Sequence, residues 1–229
     1  MNEQVVIDSR GYAIGSTQDR HRVLRNTYWL LALSLVPTVL GAWLGLATGL
    51  TRGLTGGLGL IVFLGGAFGF MFAIERTKNS TAGIGVLLGF TFFMGLMLSR
   101  LLAVILGMKT GGTIVMTAFG GTAAIFFAMA TMATFIKRDL SGFGKFLFVG
   151  ALALVVGSII NVFVGSTTGM LVISVMAIGI FSGFMVYDVK RILDGGETNY
   201  ITATLALYLD AFNVFQSLLA ILGLGSSND

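Results

Sequence analysis

Seven apolar stretches set the terms for this chain. Each is about 20–25 residues long, enough to cross ~30 Å of hydrocarbon as a helix rising 1.5 Å per residue. They cover 28–50, 54–74, 82–106, 113–136, 143–165, 170–189 and 200–224. Inside a bilayer every backbone N–H and C=O must find an internal partner, which leaves helices or closed barrels. Continuous apolar runs fit helices; a barrel would show short segments of alternating polarity. The links between runs are short, so consecutive helices are expected as antiparallel neighbours. The expected fold class is an all-α membrane protein, a seven-transmembrane-helix bundle.

Composition agrees. Only 10% of the 229 residues are charged and 55% are hydrophobic, whereas soluble domains carry about 25% charge. Residues 1–27 are polar and lack the apolar core of a signal peptide. They read as a cytoplasmic tail before a membrane domain at 28–224 and a short periplasmic tail at 225–229. Lysines and arginines alternate by loop. Eleven fall on the N-terminal side: Arg10, Arg20, Arg22, Arg25, Arg76, Lys78, Lys137, Arg138, Lys145, Lys190 and Arg191. Arg52 and Lys109 fall on the other, with Arg100 inside helix 3. The positive-inside rule then puts the N-terminus in the cytoplasm. It also accounts for the net charge of +4 without nucleic acid as a partner. The bilayer itself is the expected partner.

Several chemistries are excluded. The chain has no cysteine, which removes disulfides, thiolate metal sites and cysteine nucleophiles. No HExxH, Walker or GxSxG pattern occurs. The 33 glycines suit close helix approach. Gly41, Gly45 and Gly49 form a double GxxxG, and Gly85/Gly89 and Gly179/Gly183 repeat the spacing. Packing within the chain is the expected use, with a dimer face as the alternative. Pro37 is expected to kink helix 1.

The ionisable groups in apolar sequence carry the functional reading. Asp188 and Asp210 lie in the last two helices, where a carboxylate costs roughly 2.5–3.5 kcal/mol on insertion scales. Such a group persists when paired, solvated or protonated, and two together share a proton. Helix 6 is expected to end at Gly195-Gly196, and helix 7 to begin at Thr198 or Asn199 as N-cap. Asp188 then sits about 9 Å and Asp210 about 16 Å from the turn at 1.5 Å per residue, an offset that helix tilt can absorb. Asp188 has a second reading, as an interfacial anchor paired with Arg191. Asp210 has no basic residue within two turns. Tyr187, Tyr208 and Asn213 are candidate hydrogen-bond donors to the pair. Arg100 either snorkels or lines a pore. Glu75 and Arg76, ending helix 2, either face the aspartates or sit in the headgroups.

The run Tyr187-Asp188, then Gly195-Gly196-Glu197-Thr198-Asn199-Tyr200-Ile201, then Ala206-Leu207-Tyr208-Leu209-Asp210 and Asn213, resembles the terminal signature of the Bax inhibitor-1 family. Val23-Leu24-Arg25-Asn26-Thr27-Tyr28, Gly120-Gly121-Thr122-Ala123 and Lys137-Arg138-Asp139-Leu140-Ser141 resemble its bacterial YccA-like branch. The resemblance covers about residues 20–224. It implies six helices around a central seventh, in the bacterial inner membrane. It also implies two lines of function. In the calcium-leak line, Asp188 and Asp210 match a pH-sensing pair on a monomer's own cation pathway, where Ca²⁺ as the transported ion would meet their oxygens transiently. A basic residue ending helix 2 latches that pair; here the place reads Ile74-Glu75-Arg76. In the YccA line, the protein is a substrate and modulator of the membrane protease FtsH, engaged through the N-terminal tail. A third reading, an intramembrane aspartyl protease, rests on paired carboxylates alone. Asp210 lacks the Gly-x-Gly that precedes the aspartate of such enzymes, and Pro37, the single proline, is far from the C-terminal helices. No enzymatic activity and no resident cofactor are therefore expected.

Overall fold

The computed structural model describes residues 6–7, 13–14, 17–54 and 56–226. Seven helices form the bundle: α1 (Thr17–Thr48), α2 (Gly56–Thr77), α3 (Thr81–Leu106), α4 (Gly111–Phe135), α5 (Ser141–Val164), α6 (Thr167–Leu193) and α7 (Tyr200–Ser226). All seven are long and apolar enough to cross a membrane. Two short strands, β1 (Val6–Ile7) and β2 (Ala13–Ile14), pair antiparallel in the N-terminal segment. The rest of residues 1–16, including Arg10, and the end of the expected C-terminal tail, 227–229, lie outside the described residues.

One boundary moves. The first helix was expected from 28, but α1 starts at Thr17, so part of the expected tail is helical. The cause is tertiary. Val23 and Leu24 pack on an apolar cluster built by α4, α6 and α7. Arg20 Nη1 donates to the Leu193 carbonyl at the end of α6, at 3.3 Å.

Part of the glycine spacing is used within the chain, while Gly85 and Gly179 have open space where a side chain would be. The most extensive helix pairing is α1 against α3. A Cβ on Gly41 would overlap the Phe92 carbonyl, one on Gly45 the Ser99 hydroxyl, and one on Gly95 the Thr38 carbonyl. With no hydrophobic force between helices in lipid, such close backbone contact is what holds them together. On the other side of the bundle, Gly144 of α5 makes room for the Tyr187 ring of α6, and Gly183 of α6 for Leu147. Pro37 lies inside α1, which continues through it.

The centre belongs to α7, the most buried of the seven helices. It packs against α1, α2, α3, α4 and α6; α5 lies outside that ring, against α6 and α2. The core around α7 combines Leu87, Phe90 and Met94 of α3 with Tyr208, Phe212 and Leu219 of α7.

Candidate functional site

The α6–α7 corner sets the register of the two helices that carry the aspartates. α6 ends at Leu193, and Gly195 takes φ +80°, the left-handed turn that glycine adopts at no steric cost. Gly196 N–H donates back to the Arg191 carbonyl at 2.9 Å. Asn199 caps α7: its Oδ1 accepts from the amides of Ile201 at 2.9 Å and Thr202 at 3.2 Å. Its Nδ2 donates to the Lys78 carbonyl at 2.9 Å and to Asn79 Oδ1 at 3.0 Å. One side chain therefore starts α7 and ties its corner to the α2–α3 loop. Both expectations for this corner hold.

Asp210 is buried, only 4% exposed, and its Oδ2 has no hydrogen-bond partner. Asp188 is half-buried and lies close enough to Asp210 for the two carboxyl groups to interact electrostatically. Val186 and Val189 flank Asp188, and Leu207 lies one turn before Asp210. All three are buried in a cluster completed by Leu24 and Tyr28 of α1 and Phe126, Met129 and Ala133 of α4. An apolar cluster therefore adjoins both aspartates. Carboxylate oxygens accept but do not donate, so a hydrogen bond between two carboxyl groups requires a proton on one of them.

The remaining candidates are engaged elsewhere. Arg191 pairs with Glu197 at 3.4 Å and donates to the Gly196 carbonyl, so the anchor reading of Asp188 gains no ion pair. Lys190 pairs with Asp194. The Tyr208 hydroxyl meets Thr38 Oγ1 at 2.9 Å and the Thr91 carbonyl at 3.4 Å. Asn213 Nδ2 donates to the Leu209 carbonyl one turn back, at 2.8 Å. The Tyr187 ring lies against Gly144. The three expected donors thus bind α1, α3, α5 and their own helix, where polar groups in apolar packing must also be satisfied.

The helix 2 candidates do not reach the pair. The Arg76 guanidinium lies over the Phe72 ring, 4.8 Å from its centre, and Glu75 pairs with Lys78. α2 makes no packing contact with α6. Arg100 is exposed and lines a cavity at the end of the bundle away from the N-terminal side. Among the described residues, no three His, Cys, Asp or Glu side chains cluster as a metal site would require. Arg20 as a tie to the end of α6 and Asn199 as a bridge between loops were not read from the sequence. The only signal was the polar run 195–199 between two apolar helices.

The structure defines a class: a polytopic α-helical membrane protein whose central helix carries a buried carboxyl group. The profile of the family described as "Inhibitor of apoptosis-promoting Bax1" matches residues 20–228. The chain belongs to this Bax inhibitor family. It is similar to the "Modulator of FtsH protease YccA" of Escherichia coli K12, with 37% identity over 219 residues, 93% of this chain and 97% of the relative. It is 35% identical over 221 residues to an uncharacterized membrane protein of Vibrio cholerae, covering 96% of this chain and 97% of that one.

Proposed function

We propose that this chain is a non-enzymatic bacterial inner-membrane protein whose Asp188–Asp210 pair controls a proton-sensitive cation leak, with Ca²⁺ as the transported ion. The observation that carries this is Asp210: buried, with one carboxyl oxygen unpartnered, facing Asp188 across the α6–α7 contact. A single shared proton holds the two carboxyl groups together. Its loss places two negative charges side by side where little water can screen them, which drives α6 and α7 apart. The separated oxygens then offer ligands suited to a hard cation. In this reading the apolar cluster of Val186, Val189 and Leu207 is the closed seal. Arg76 and Glu75 take no part in the closed state. In this reading the N-terminus faces the cytoplasm, which the distribution of basic residues among the loops supports.

Calcium flux into proteoliposomes between pH 5 and 8 tests the reading, with wild type beside the Asp188→Asn/Asp210→Asn double variant. Wild-type flux rises with pH and the variant loses that dependence. A wild type that carries no calcium at any pH, or a variant with an unchanged profile, removes the gating role.

A second reading is favoured by the similarity to E. coli YccA: the chain modulates FtsH and is its substrate, through the N-terminal segment. The two readings are compatible, since one concerns the bundle and the other the segment before it.

A further inference from the structure

At the end of the bundle away from the N-terminal side, a cavity of about 750 Å³ opens between the α1–α2 loop, α3 and α7. Its polar lining is Thr51, Arg52, Ser99, Arg100 and Gln216. Thr51 and Ser99 hydrogen-bond to each other at 2.8 Å. Both arginines are exposed, and neither forms an ion pair among the described residues. The connections at this end, 49–55, 107–110 and 165–166, contain no aspartate or glutamate. Every acidic residue among the described ones belongs to the opposite end or to the aspartate pair.

Both guanidinium groups lie on glycines. A Cβ on Gly49 would come within 2.9 Å of Arg52 Nε, and one on Gly59 within 3.0 Å of Arg100 Nη1. Arg100 starts six residues inside α3, about 9 Å from the helix end, and reaches toward the first turn of α2 through the space that Gly59 leaves. Two arginines without an ion pair among the described residues share one cavity, an arrangement that suits an anion. The guanidinium fork matches phosphate oxygens in geometry as well as charge. The cavity wall continues into Val104 and Leu106, which are 63% and 47% exposed.

We propose that this cavity holds the phosphate of an anionic phospholipid, with Arg52 and Arg100 on the headgroup and the acyl chains along Val104 and Leu106. Polar and apolar linings in one opening fit an amphiphile better than a free ion.

Native mass spectrometry of the full chain in detergent tests this with dioleoyl phosphatidylglycerol, dioleoyl phosphatidylcholine and inorganic phosphate as separate probes. Wild type retains phosphatidylglycerol in preference to phosphatidylcholine. Arg52→Gln/Arg100→Gln lowers that affinity about tenfold or more, the scale of losing charge-assisted hydrogen bonds. Lys109→Gln, a basic residue of the same end outside the cavity lining, leaves it unchanged. Arg52→Gln alone, in an exposed loop, loses part of the affinity and keeps the wild-type unfolding temperature, which separates binding from folding. Equal retention by wild type and the double variant overturns the proposal. So does an equal loss in Lys109→Gln, which would mean general surface charge. Displacement of phosphatidylglycerol by inorganic phosphate overturns the lipid assignment.

Discussion

Asp210 and Tyr208, two residues apart on α7, show how the same buried helix treats polar groups in opposite ways. Tyr208 is buried and satisfied: its hydroxyl has Thr38 and Thr91, and its ring sits between Phe90 and Phe212. Asp210 is buried with one oxygen unsatisfied. An unpaired buried acceptor is costly and calls for a physical explanation. Tyr208→Phe separates the two roles. It should destabilise the protein by about 1 kcal/mol, the net worth of a typical hydrogen bond, seen as a lower unfolding temperature in detergent. The pH profile of calcium flux should be unchanged. A flattened profile would make Tyr208 part of the acid pair and contradict the hydrogen bonds described here.

Helices in this bundle meet through glycine. Gly41, Gly45 and Gly95 bring α1 and α3 together at backbone distance, whereas Gly179 of α6 has open space where its side chain would be. The two kinds of glycine should respond oppositely to alanine. Gly41→Ala forces its Cβ onto the Phe92 carbonyl and should cost about 1–3 kcal/mol, as overpacking does. Gly179→Ala should be neutral or stabilising by up to about 1 kcal/mol, because alanine is the better helix former. Thermal unfolding of both variants in the same detergent decides it; equal losses would mean that glycine content, not contact, governs the packing. The shared spacing of these glycines did not distinguish them, since only the neighbouring helix determines what a Cβ would meet.

The whole molecule is polarised. Its N-terminal side collects the basic loops and two interlocking corners. There Arg20 ties α1 to the end of α6, and Asn199 ties the α6–α7 corner to the α2–α3 loop. The far end holds the open cavity with its two arginines. The segment before α1 precedes the bundle, which begins at Thr17. Deleting residues 2–16 should leave folding and calcium flux intact while lengthening the half-life of the protein in cells that contain FtsH. A pulse-chase comparison in cells with and without the protease checks this. An unchanged half-life in both would end the case for engagement through this segment.

Hydropathy alone determined the seven helices, because a bilayer leaves an apolar run of this length no other way to satisfy its backbone. Local chemistry also determined the α6–α7 corner: glycine supplies the left-handed turn at 195 and Asn199 the cap, and neither depends on distant residues. The early start of α1 was not legible, because its cause is packing of Val23 and Leu24 on helices more than a hundred residues away. The two aspartates were legible as costly residues, but their approach was decided by how α6 lies on α7. The partners of Tyr187, Tyr208 and Arg76, and the meeting of Arg52 with Arg100 in one cavity, were decided there as well. Periodicity states which residues a helix can bury. Which neighbour receives them depends on helix rotation and tilt, and those are settled by the close glycine contacts of the assembled bundle.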